Sequence, residues 1–174
     1  MKLTDKHHSF PITFTGENTY FANSGSNPYD AFNWMIANLK SEGNTVIFTD
    51  KYCFKYPEQD GYKDKVKYLL KKLKANKLIY CGPSRTEESF FNEMQNELSA
   101  IGCALEFRNY ASQHDRWWIC PETKTALFGA SLNTIGASKS SIINMSGSYH
   151  EAQYIIDDLK AEGVLDGTEW NADS

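Results

Sequence analysis

Apolar side chains recur at helical spacing in four stretches and collect into short β-branched or aromatic runs between them. The first helical stretch follows Asn27-Pro28. Asn27 suits an N-cap, Pro28 suits the first helical position, and Asp30 lies in the first turn where the helix dipole favours an acid. Phe32, Ile36 and Leu39 share a face, with Met35 beside them, and Gly43 offers a stop, so a helix is predicted over 28–42. Thr45–Asp50 reads as a buried strand. Tyr62–Asn76 is a second helix with Val66, Leu69, Leu70 and Leu73 inward. Leu78–Cys81 is a strand broken by Gly82-Pro83. Ser84-Arg85-Thr86-Glu87 is a capping box that opens a third helix, carrying Phe90, Phe91, Met94, Leu98 and Ile101 to Gly102.

Strands are then expected over 104–110, 115–120, 125–131 and 141–145. A second capping box, Ser148 to Glu151, opens a last helix with Ala152, Ile155, Ile156 and Leu159 that stops at Gly163. The order α-β-α-β-α-β-β-β-β-α predicts parallel strands with right-handed crossovers first and hairpins afterwards. The expected fold class is therefore α/β, a mixed β-sheet with helices on both faces. Residues 1–27 read as a polar N-terminal extension that allows a short strand near 12–14. Residues 28–165 read as one domain and 166–174 as a tail, with Leu165 and Trp170 able to tuck back.

Composition narrows the function classes. Hydrophobic residues at 41% exclude a disordered chain, and a net charge of −4 argues against coating nucleic acid by bulk charge. No apolar run is long enough to span a bilayer, so membrane association is not expected, and the start lacks the apolar core of a secretory signal. Cys53, Cys81, Cys103 and Cys120 are widely spaced, with three or all four in predicted strands. They read as buried free thiols in a reducing cytoplasm, with no metal site and no cofactor. The one basic concentration is the helix carrying Lys63, Lys65, Lys67, Lys71, Lys72 and Lys74, followed by Lys77. It is either a solvated face or a rail for a phosphate backbone formed by Lys67, Lys71 and Lys74.

The chemistry concentrates in His114–Asn133. Strand alternation puts His114, Arg116, Trp118 and Cys120 on one face. A histidine and a guanidinium two residues apart suit a phosphate: the guanidinium grips oxygens bidentately, and a neutral imidazole attacks or transfers a proton. Ser131 and Asn133 share a face of the next predicted strand and offer short hydrogen-bonding groups. A surface ion-pair cluster at 114–116 and turn-forming side chains at 131–133 are the competing reading.

His114-Asp-Arg116, followed on the next strand by Gly129-Ala-Ser131-Leu-Asn133, resembles the phospholipase D-like superfamily. Its signature is His-x-Lys, an aspartate after four residues, then a Gly-Ser element with a nearby Asn. Arg116 stands at the lysine position and Pro121 at the aspartate position, with Glu122 adjacent. Ser131 and Asn133 come two residues late, which preserves strand parity. The histidine-orienting acid has no evident counterpart. Lys139 and Ser140-Ser141 occupy that region, and Asp115 and Glu106 are substitutes that sequence does not place.

The resemblance implies a phospholipase D-like fold and a metal-independent phosphodiesterase, most readily a nuclease. His114 would be nucleophile and acid/base through a phosphohistidine, and Arg116, Ser131 and Asn133 would bind phosphate, with Lys139 beside them. That mechanism uses two motifs and the chain has one, because His7, His8 and His150 lack matching neighbours. Catalysis would then require a homodimer, with Trp117 or Trp118 at the cleft or interface. The alternative is a catalytically decayed module of the same fold that binds nucleic acid, anionic lipid head groups or a protein partner.

Overall fold

A computed structural model describes residues 19–55, 59, 61–83, 88–111, 115–167 and 169–170. His7, His8, the strand allowed near 12–14, the capping box at Ser84 and His114 itself lie outside the described residues.

The described residues build one seven-stranded sheet. Its strands are β1 (Thr19–Ala22), β2 (Thr45–Phe48), β3 (Lys77–Gly82), β4 (Ala104–Asn109), β5 (Trp117–Cys120), β6 (Thr125–Gly129) and β7 (Ser140–Asn144). Helices α1 (Pro28–Leu39), α2 (Tyr62–Lys72), α3 (Glu88–Ser99) and α4 (Tyr149–Ala161) pack on it. The order across the sheet is β1-β7-β6-β5-β2-β3-β4. β2, β3 and β4 run parallel, and every other pairing is antiparallel. The predicted α/β class, with parallel crossovers first and hairpins afterwards, is the architecture found.

Alternation decides which face each side chain serves. Phe48, Leu78, Tyr80, Trp118, Cys120 and Leu127 join α1, α2 and α3 in the larger core. Ile47, Ile79, Trp117, Ile119 and Ala126 join α4 in the smaller one, against which Trp170 also packs. Helices thus cover both faces. Phe48 on β2 lies directly opposite Trp118 on β5, and the rings stack 4.5 Å apart at 6°. An offset or stacked aromatic pair adds about 1 kcal/mol to the burial itself. This pair locks the register between the parallel and antiparallel halves.

Several boundaries differ from expectation for identifiable reasons. The sheet begins at β1, inside the stretch read as an N-terminal extension. Its Tyr20 and Ala22 pack into the larger core, an alternation too short to stand out from its polar neighbours. α1 ends at Lys40, which takes the left-handed conformation (φ 51°) before Gly43 is reached. β6 ends at Gly129 and not at residue 131. Gly129 adopts φ 144°, and an added Cβ there would collide with the Ser141 carbonyl, so the chain leaves the ladder at that point. Ser148 forms no side-chain cap on α4, because a 3-10 turn over Ser146–Ser148 leads directly into the helix. Glu151 pairs instead with exposed His150. Only Cys81 and Cys120 lie in strands. Cys53 follows β2 and Cys103 precedes β4, and all four are buried and free. Among the described residues, no helix is long and apolar enough to cross a membrane.

Lys63, Lys67 and Lys71 of α2 face α3. Lys63 and Lys67 reach Glu93 at 2.5 Å, Lys67 reaches Glu97 at 2.8 Å and Lys71 reaches Glu97 at 2.5 Å. Lys74 meets Glu42 at 3.1 Å. Hydrogen bonds from Lys67 and Lys71 hold the Glu97 carboxyl down at about 2, and those from Lys63 and Lys67 depress Glu93. A carboxyl with a depressed folded pKa stabilises the fold above the ordinary carboxyl range and loses that contribution as pH falls toward the folded value. Thermal melts from pH 5 down to about 2 should therefore show a steeper loss in the wild type than in Glu97→Gln. Because the pairs are partly solvated, the difference should be about 1 kcal/mol and should shrink in high salt.

Candidate functional site

The sheet changes direction at β2, which has parallel β3 on one side and antiparallel β5 on the other. The site lies beyond the carboxyl end of β2, on the side where the antiparallel strands begin. The carboxyl end of β2, the start of β5, the end of β6 and the start of β7 all meet there. Thr49 and Asp50 leave β2 at this point, and both are buried.

Thr49 pins the segment leading into β5. Its hydroxyl donates to the Asp115 carbonyl (2.8 Å) and accepts from the Trp117 N–H (2.9 Å), while its own N–H donates to the Trp117 carbonyl. Arg116, held between these bonds, also accepts at its carbonyl from the Gly129 N–H at 3.1 Å. Its guanidinium carbon lies 5.6 Å from the Tyr52 ring. Lys51 and Lys55 stand 4.9 and 5.2 Å from the same ring, so three cations surround one aromatic side chain at this end of the sheet.

Asp50 is the acid of the site, and the motif does not point to it. It is fully buried. Its Oδ1 accepts from the Ser131 hydroxyl (2.6 Å) and the Tyr52 N–H (3.1 Å), and its Oδ2 accepts from the Leu132 N–H (2.8 Å). Burial pushes its pKa up. The hydrogen bonds from Ser131, Leu132 and Tyr52, together with the Arg116 charge, pull against that rise. The signal available in the sequence is an acid closing a β-branched run, Thr45–Asp50, which is also how an ordinary strand end reads.

The substitutes for an orienting acid lie elsewhere. Pro121 and Glu122 belong to the β5–β6 turn at the opposite end of the strands, where Glu122 caps the Thr45 N–H. Glu106 sits on edge strand β4, paired with Lys77 and Arg108. Asp115 is exposed beside Arg116.

Arg116, Ser131 and Lys139 line one groove of about 340 Å³, together with Thr134, Ser138, Ser140 and Ser141. Ser131 contributes from beneath, since it is 2% exposed and its proton goes to Asp50. Asn133 lies in the turn after β6, not on a strand face with Ser131, and does not line the groove. Among the described residues its Oδ1 and the Arg116 Nε have no hydrogen-bond partner. Lys67, Lys71 and Lys74 are on α2 or just past its end and hold carboxylates. Trp117 and Trp118 are core residues. Among the described residues, no carboxylate lines the groove, and no cluster of histidine, cysteine or acids could hold a metal ion. A guanidinium, an ammonium and a bank of hydroxyls around an open groove are the chemistry of an oxyanion site.

No family model and no curated protein matches the chain. Among solved structures it is similar to TrmBL2, an archaeal chromatin protein whose structure is described as showing a novel mode of DNA binding. The TM-score is 0.49 at 11% identity, over 87% of this chain and 55% of that one. The chain thus spans about half the length of that protein. At this level the overlap is coarse, and the site rests on its own geometry.

Proposed function

We propose that the chain is a phosphodiester-binding module of phospholipase D-like type whose ligand is nucleic acid. One observation carries this: Arg116 and Lys139 line the same hydroxyl-rich groove, and among the described residues no acid lines it. Two further cations, Lys51 and Lys55, stand around Tyr52 beside Arg116. Cations gathered at one end of the sheet suit a polymer backbone better than a single head group. A net charge of −4 is no obstacle, because the positive groups are local while Glu93 and Glu97 on α3 are occupied by the α2 lysines.

Hydrolysis asks for more than binding. It needs His114 as nucleophile and a second histidine from a second copy of the chain, whereas Arg116 and Lys139 bind without either. The two versions separate in one set of tubes. The protein is titrated with labelled single-stranded DNA, duplex DNA and RNA in EDTA, and the products are resolved beside those of His114→Ala. Binding by both proteins without cleavage supports the module. Cleavage that survives EDTA and disappears in the variant supports the phosphodiesterase. Wild-type protein that binds none of the three, even at low salt, refutes both.

A further inference from the structure

We infer that the ligand is single-stranded, and that Phe21 is the platform on which one of its bases stacks. This rests on the phosphodiester-binding reading and specifies the strand form it leaves open. Beside the Arg116 groove lies a second hollow of about 280 Å³, lined by Phe21, Ala22 and Asn23. Lys139, Ser140 and Ser141 line both hollows, so the two adjoin at the end of the sheet, and the proposed path runs from one to the other.

The hydrogen-bond ladder measures that path. Phe21 on β1 pairs with Ser141 on β7, whose carbonyl accepts from Ala130, and the neighbouring Gly129 N–H donates to the Arg116 carbonyl. Three strand spacings separate Phe21 from Arg116, which is roughly 14 Å of backbone. Lys139 stands between them, lining both hollows.

Phe21 is 65% exposed on an edge strand. The other large apolar side chains exposed among the described residues, Ile101 and Tyr154, line neither hollow. An exposed ring reached through a cationic, hydroxyl-lined path is the pairing that single-strand binders use: charge tracks the backbone, and the ring takes a base face. A duplex keeps its bases stacked on each other and offers no free face to Phe21.

The test uses the full chain and three fluorescent probes: a thymidine oligomer, an abasic strand of the same length, and a duplex. Wild type should bind the thymidine oligomer about ten-fold tighter than the abasic strand. Phe21→Ala should lose that margin while keeping its affinity for the abasic strand and the duplex. Phe21→Trp should restore it, which separates lost stacking from any disturbance of β1. Equal binding of thymidine and abasic strands by wild type overturns the inference while leaving phosphodiester binding intact, as does an unchanged margin in Phe21→Ala. The inference also falls if sedimentation shows that Phe21→Ala dissociates a dimer with its strand margin intact, because the ring would then serve a second copy. Failure of wild type to bind any probe would instead refute phosphodiester binding itself.

Discussion

Replacing Asp50 with alanine is expected to destabilise the fold by about 3 kcal/mol, measured by chemical denaturation. The carboxylate satisfies the Ser131 hydroxyl and the Leu132 and Tyr52 amides at a fully buried position. Each buried donor left without a partner costs about 1–3 kcal/mol, and removing a buried charge recovers part of that sum. Asp50→Asn should cost less, about 1–2 kcal/mol, because its carbonyl still accepts from Ser131 and Tyr52 while its amide opposes the Leu132 N–H.

The asparagine variant also isolates a pH effect. The folded pKa of Asp50 is raised, so the folded state holds the proton more tightly than the unfolded one. Stability contributed by this group therefore falls as pH rises from about 4 through the elevated folded value. That slope is opposite in sign to the one from Glu93 and Glu97, and Asp50→Asn should remove it while leaving theirs. Both Asp50 variants should weaken ligand binding as well, because Ser131 and Leu132 anchor the turn that walls the groove.

Arg116→Ala should weaken nucleic-acid binding about 10- to 100-fold with little loss of stability. A hydrogen bond to a charged group contributes about 1.5–3 kcal/mol, and a guanidinium often makes two to one phosphate. Arg116→Lys should fall between, because it keeps the charge and loses the fork. The dependence of log affinity on log salt should flatten by about 0.7–0.9 for each phosphate that the variant no longer neutralises. Equal affinity and slope in wild type and Arg116→Ala would remove the guanidinium from the site.

Much of the fold is legible in the sequence because its elements are strongly periodic. The apolar faces of α1 to α4 and the runs at β2 and β3 give the α/β order and the change from parallel to hairpin pairing. β1 escapes notice because four residues in a polar context carry too little pattern. The end of β6 is misplaced because alternation continues on paper to Asn133, while Gly129 at positive φ turns the chain aside. The same turn buries Ser131 on Asp50 and separates it from Asn133, a tertiary bond across 81 positions that motif spacing does not carry. The lysine face of α2 looks like a rail because its glutamate partners, Glu93 and Glu97, are supplied by a different helix. Lys51 and Lys55 do not stand out in the sequence because their meeting with Arg116 depends on β2 and β5 being neighbours.

The most direct measurement compares two double variants on one labelled single strand: Arg116→Ala with Lys139→Ala in the groove, and Lys67→Ala with Lys71→Ala on α2. Each pair removes two positive charges, so bulk charge is matched. If the groove is the site, the first pair should abolish or severely weaken binding and flatten the salt dependence, and the second should stay close to wild type. Loss of binding in the α2 pair with the groove pair unaffected would contradict it, and would place the ligand on the helix face.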